Sequence, residues 1–143
     1  MIIISFVLFL IFILFQIKNN MNIKKMILEQ SALPLSSKLI INENLSKHDE
    51  NIYICLSINC SICQKILFDF QNEAEENMYL VFSDSEYEVD NLINEMNINI
   101  DKGKIVYGFP RGKLFLQVTP FVYITNKEDL IIEKKIINKI KDI

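Results

Sequence analysis

Glycine, proline and cysteine occur only three times each in this chain of 143 residues, and histidine only once. So few glycines exclude a glycine-rich loop that cradles a nucleotide phosphate. Three cysteines are too few to staple a disulfide-dense miniprotein, and one histidine excludes a histidine-rich metal site. A surplus of positive charge is also lacking. Fifteen Lys+Arg face 18 Asp+Glu, a formal net charge of -3, so no basic stripe meets a phosphate backbone and nucleic acid is not an expected partner. What the chain does have is apolar bulk: half of it is hydrophobic and its mean hydropathy is +0.22. That is too apolar for a disordered tail or a collagen-like fibre, and the length suits one globular domain.

The longest apolar run comes first. Residues 2–17 read IIISFVLFLIFILFQI, without a charge and with only Ser5 and Gln16 mildly polar. As a helix this run reaches roughly 24 Å, slightly short of a ~30 Å hydrocarbon core, and flanking residues or local thinning make up the difference. Neither a basic stretch before it nor a small-residue cleavage site after it marks a removable signal, so residues 1–18 are expected to be a retained anchor in contact with membrane lipid. A helix apolar on all sides has little protein to hide in at the end of so short a chain. Lys18, Lys24 and Lys25 all follow the run; taken alone, the positive-inside rule would place the remainder in the cytoplasm.

Residues 19–32 read as a Lys- and Asn-rich connector able to prolong the anchor helix. The stretch Ser31-Ala32-Leu33-Pro34-Leu35-Ser36-Ser37 then breaks it, and residues 33–143 are expected to form the folded domain, without internal repeats. Residues 51–57 (NIYICLS) are β-rich and apolar almost throughout, as in a strand covered on both faces. A helix follows over about 60–76, with Ile62, Ile66, Leu67 and Phe70 at helical spacing. Residues 78–83 (MYLVFS) read as a second strand. Asp84-Ser85 then caps a helix carrying Val89, Leu92, Ile93 and Met96. Residues 121–125 (FVYIT) and 130–133 (LIIE) flank the polar turn Asn126-Lys127-Glu128-Asp129 as a hairpin, and Ile136, Ile137, Ile140 and Ile143 suggest a short closing helix. The pattern is an α/β sandwich on a mixed sheet.

Chemistry concentrates where the first strand meets its helix. Cys60-Ser61-Ile62-Cys63 is a C-x-x-C at a helix N-terminus. Two cysteines three apart on a helix share a face, with Cα atoms about 5–6 Å apart, within disulfide range. Unpaired amides and the helix dipole favour an anion at the first, so its thiolate is expected near neutral pH, and the thiolate is the attacking species. Attack by Cys60 on a disulfide and resolution by Cys63 would reduce a substrate, and the reverse would oxidise it. Near the far end, Gln117-Val118-Thr119-Pro120 leads into the strand FVYIT. A proline suits the first residue of a strand, and an X-Pro bond there can be cis.

With those two motifs the chain resembles thioredoxin-fold proteins, in which the C-x-x-C helix faces a cis-proline loop that aligns a substrate backbone as an added strand. More narrowly, it resembles the membrane-anchored branch that includes TlpA and the methylamine dehydrogenase accessory protein MauD. The residues that carry this are 57–67 (SINCSICQKIL), 81–84 (VFSD) and 119–122 (TPFV), after an N-terminal anchor and a basic connector. The resemblance implies a thioredoxin-like three-layer sandwich with a mixed β-sheet, catalytic Cys60 and Cys63, and substrate contact at Thr119 and Pro120. It further implies no cofactor, a cysteine-bearing client protein or peptide, an electron-transfer partner among polytopic membrane proteins, and a domain outside the cytoplasm. Asn59 stands where the family carries a tryptophan, Ser61-Ile62 replaces its common Gly-Pro or Pro-Val, and no residue matches its buried acid.

Other readings compete. Cys55, Cys60 and Cys63 have the C-x4-C-x2-C spacing of an iron–sulfur loop, but a fourth cysteine is missing and the run is β-rich. Zinc would need a fourth ligand from His48 or an acid, without the usual paired spacing. Cys55 reads as a small hydrophobe of the central strand, His48 as solvated, and Glu73, Glu75 and Glu76 as a wet helix face. Phe109-Pro110-Arg111-Gly112 reads as a turn. The functional alternative is a non-catalytic thioredoxin-fold binding or chaperone module at the membrane, its cysteines only bracing the helix.

Overall fold

A computed structural model describes residues 2–30, 32–41, 45 and 48–143; Met1 and Ser31, which the expected anchor and connector include, lie outside them. Two compact units result, Met1–Ser31 and Ala32–Ile143. The first is one helix, α1 (Ile2–Gln30), about 44 Å long at 1.5 Å per residue. Within it, Phe6–Ile23 has a mean hydropathy of 1.6 and is long and apolar enough to cross a bilayer. Every side chain from Phe6 to Phe15 is exposed, a far larger apolar surface than water-soluble proteins leave uncovered. The helix runs on through residues 19–30 of the expected connector.

The second unit is built on β1 (Glu50–Leu56), whose last six residues are all buried. Parallel pairing puts Ile54 beside Leu80 of β2 (Met78–Phe82), and antiparallel pairing puts it beside Val122 of β4 (Phe121–Asn126). The two-residue β3 (Ile105–Val106) lies outside β2, and β5 (Ile131–Ile136) lies outside β4, giving the order β3-β2-β1-β4-β5. Side chains alternate across this mixed sheet. Ile52, Ile54, Leu56, Met78, Leu80, Phe82, Val122 and Ile124 share one face and one core cluster, while Tyr53, Cys55, Val81, Phe121 and Tyr123 point the other way, also buried.

Helix α2 (Ser61–Glu73) covers the first face with Cys63, Ile66, Leu67 and Phe70. Their i, i+3, i+4, i+7 spacing makes one apolar stripe, and full burial of each aliphatic or aromatic member contributes about 1.5–3 kcal/mol. α3 (Glu86–Glu95) packs beside it through Val89. Ser85 starts it with a complete capping box to Glu88. Asn97, at φ 52°, ends it: the Ile98 amide reaches the Ile93 carbonyl and the Asn97 amide the Asn94 carbonyl, a Schellman closure.

Among the described residues of this unit, no long helix covers the second face. Residues 32–41 cross it as an extended strap, with Leu39 and Ile41 buried and Ser36 and Leu39 donating to the Ile131 and Asp129 carbonyls, both at 2.8 Å. The one-turn helix α4 (Arg111–Leu114) and the loop after it bury Leu114 and Leu116 there. Helices, sheet, and strap with loop make the three layers.

Several local expectations change. Cys60 is the N-cap of α2 and Ala74 its C-cap, so the helix is shorter than 60–76, and Glu75 and Glu76 fall in the turn after it. Glu73 pairs with Lys141 at 3.4 Å, tying the helix end to the C-terminus. The expected closing helix is instead the end of β5, because Ile136 pairs with Phe121 after a bulge at Ile124/Thr125, followed by a single 3-10 turn at Ile140–Asp142. Asp142 accepts from the Asn138 and Lys139 amides there. Phe109-Pro110-Arg111-Gly112 is not a plain turn: Phe109 donates to the Phe82 carbonyl at 2.9 Å, and α4 starts at Arg111.

Candidate active site

The turn between β1 and α2 closes when the Cys60 amide donates to the Ser57 carbonyl at 3.2 Å. The intervening Ile58 peptide is held from both sides. Its amide donates to Asp84 Oδ2 at 3.3 Å, and its carbonyl accepts from Gln64 Nε2 at 2.9 Å. Asp84 follows β2 and Gln64 follows Cys63, so strand end and helix start are fixed together. Neither residue was marked by the spacing of the cysteines.

At the N-cap, Cys60 Sγ accepts from the Cys63 amide at 3.3 Å, one of the donors that a helix start leaves unpaired. The same sulfur lies 3.6 Å from the Thr119 carbonyl. Thr119 and Pro120 form a cis peptide immediately before β4, so the loop and the cysteine helix, 59 residues apart in sequence, meet at one sulfur. Cys60 is half-buried, Cys63 is buried behind it, and both are free thiols.

The two sulfurs have unlike protonation. Partial burial pulls Cys60 upward, but hydrogen bonds from the Cys63 thiol and amide, the Thr119 side chain and the Ile62 amide outweigh it and hold Cys60 below the ordinary thiol value. Cys63 is pushed up to about 12, first by burial and then by donating its proton to Cys60. The pair therefore favours one arrangement: a thiolate at Cys60 stabilised by a neutral Cys63 thiol.

Cys55 does not join them. It is fully buried on the opposite sheet face from Cys63, and burial alone raises its pKa. It lines a cavity of about 30 Å³ with Ser57, Asp84, Arg111, Leu114 and Thr119, with room for a water or two and nothing larger. The three cysteines thus do not converge as an iron–sulfur loop requires. His48 precedes β1, at the strand end remote from Cys60, and its amide meets Asn51 Oδ1 at 3.4 Å; it is half-buried, not fully solvated. Among the described residues, no three His, Cys, Asp or Glu side chains form a metal-binding group.

No protein-family model matches the chain, and no curated protein matches it. Among solved structures, it is similar to the thioredoxin domain of a thiol-disulfide oxidoreductase from Bacteroides vulgatus, at 17% identity over 73% of this chain and 89% of that one, with a TM-score of 0.52. It is also similar to StoA from Bacillus subtilis, at 19% identity over 75% of this chain and 88% of that one, TM-score 0.48. A third likeness is a thioredoxin-like protein from Aeropyrum pernix, at 12% identity over 83% of this chain and 89% of that one, TM-score 0.48. The first of these gives the class: the fold of the second unit is thioredoxin-like.

Proposed function

We propose that this chain is a membrane-tethered thiol–disulfide oxidoreductase of the TlpA/MauD-like kind, with Cys60 as attacking sulfur and Cys63 as resolving sulfur. The observation that carries this reading is the position of Cys60 Sγ: half-exposed at a helix N-cap, 3.3 Å from the Cys63 amide and 3.6 Å from the Thr119 carbonyl. The likeness to a domain described as a thiol-disulfide oxidoreductase agrees with it.

In the reductive direction, the Cys60 thiolate attacks one sulfur of a client disulfide. A Cys60–client bond forms, and the client's other sulfur leaves as a thiolate that takes up a proton. Cys63 then loses its proton and attacks Cys60. The Cys60–Cys63 disulfide forms and the second client sulfur departs as a thiolate, protonated in turn. Two electrons pass to the client and this chain ends oxidised; run backwards, the same steps oxidise a client dithiol. As the mixed bond forms, the negative charge of Cys60 passes to the leaving client sulfur, so the Cys63 proton is no longer held by Cys60, which eases the second step. Thr119 and Pro120 receive the client backbone beside Cys60.

The client is a cysteine-bearing protein or peptide matured at the membrane, with electrons supplied or removed by a polytopic membrane protein. α1 serves as a retained anchor, and the domain lies outside the cytoplasm, where disulfides persist, in spite of Lys18, Lys24 and Lys25 after the apolar run. The deciding experiment is Cys63→Ser in the full chain. A client disulfide adduct through Cys60 is expected on non-reducing gels and should vanish on adding Cys60→Ser. Absence of any adduct, together with an ordinary thiol pKa at Cys60, would instead support a binding or chaperone module.

A further inference from the structure

Tyr123 lies at the middle of β4, fully buried on the sheet face away from α2. Its ring packs on Phe121 with centroids 5.0 Å apart, a contact phenylalanine would make equally well. The hydroxyl is the difference, and a buried hydroxyl is unfavourable unless its hydrogen bonds are made. Here both are made. It accepts from the Leu33 amide at 2.9 Å and donates to the Leu114 carbonyl at 2.7 Å. Leu33 is on the strap; Leu114 is the last residue of α4 and opens the loop that ends at Thr119 and Pro120. A fixed start matters to this loop. Phe115, next after Leu114, is 64% exposed and takes a left-handed φ of 51°, so between the buried Leu114 and Leu116 the loop turns on a residue without packing of its own.

We infer that the Tyr123 hydroxyl is a positioning group for the thiol site: by holding the Leu114 carbonyl, it fixes the start of the loop that brings Thr119 against Cys60. This rests on the reading of Cys60 as the attacking sulfur. The hydroxyl touches neither cysteine and acts through the backbone of residues 115–119. Asp84 and Arg111, which line the cavity beside Thr119, are kept in all variants below, so the charges near the site do not change.

The test is the pH profile of iodoacetamide alkylation at Cys60 in the full reduced chain, followed by peptide mass. Tyr123→Phe removes the hydroxyl and keeps the ring. Its profile should move toward that of an ordinary thiol, slowing alkylation at pH 7 about threefold or more. Phe115→Gly puts a flexible joint into the same loop at an exposed position whose φ glycine adopts readily, so it should cost the fold little, and it should move the profile in the same direction. Thr119→Val should do so too, and combining it with Tyr123→Phe should add nothing further. A lower Tm with an unmoved profile in both Tyr123→Phe and Phe115→Gly would reduce the hydroxyl to a structural bond and overturn the inference. Additive effects of Tyr123→Phe and Thr119→Val would overturn it as well. If wild-type Cys60 itself titrates as an ordinary thiol, the reading of Cys60 as the attacking sulfur fails instead, and the inference with it.

Discussion

The Cys63 amide points at the Cys60 sulfur from 3.3 Å, and a hydrogen bond from the Cys63 thiol to the same sulfur lowers Cys60 and raises Cys63. One residue thus supplies both a backbone and a side-chain donor to its partner three positions earlier. Because the donated thiol proton is held more tightly while Cys60 is charged, the pair divides into one reactive and one dormant sulfur.

That division is measurable. Alkylation of the reduced wild-type chain should modify Cys60 first, with a midpoint below the ~8.5 of an unperturbed thiol. Cys63 should stay unmodified across the same range, since its proton is held to about pH 12. Peptide mass after timed quenching at pH 6 to 9 separates the two, and equal rates at both cysteines would contradict the assignment.

The thiols also set the pH dependence of stability. Cys55 and Cys63 are raised in the folded state, so their contribution is complete below the unfolded value of ~8.5 and declines above it, where the unfolded chain binds fewer protons. Cys63 continues this loss up to about pH 12. Cys60, being lowered, works oppositely: its contribution is complete above ~8.5 and is lost as pH falls through its folded value. Urea midpoints under reducing conditions should fall from pH 8 to pH 10, and Cys55→Ala should flatten that slope.

Packing and capping give graded losses. Phe70 fills the first-face core at 2% exposure, and Phe70→Ala should cost about 3–5 kcal/mol. Ser85→Ala removes one half of a capping box at an exposed helix start and should cost about 1 kcal/mol. Denaturant unfolding of the two variants orders them; a Ser85 effect as large as that of Phe70 would mean the cap does more than start α3.

Topology has its own experiment. A membrane-impermeant thiol reagent applied to intact cells should label reduced Cys60. Labelling seen only after lysis would put the domain in the cytoplasm, as the lysines after the apolar run would have it.

Local patterns carried much of this fold. The apolar run of β1, the helical stripe of α2 and the Ser85 cap each declare themselves within a few residues, and Cys60 lies against the Thr119-Pro120 loop. What stayed illegible depends on distant partners. Ile105 and Val106 are too few to show a period, and they become a strand only because Leu80 and Val81 pair with them. Ile136, Ile137 and Ile140 have helical spacing, yet the bulge at Ile124/Thr125 keeps Ile136 in the sheet. Residues 32–41 showed only a helix breaker, since their hydrogen bonds go to Asp129 and Ile131. The Tyr123 hydroxyl joins residues 90 and 9 positions away, a link no local spacing encodes.

The alternation of β1 has one last consequence, for chemical fidelity. Three thiols in one small protein allow three pairings under oxidising conditions, of which the proposed cycle uses one. Because Cys55 hangs from the far side of its strand, between Val81 and Phe121, a sheet of backbone stands between it and the other two. On the proposed function, repeated oxidation and reduction would then cycle through the Cys60–Cys63 crosslink alone.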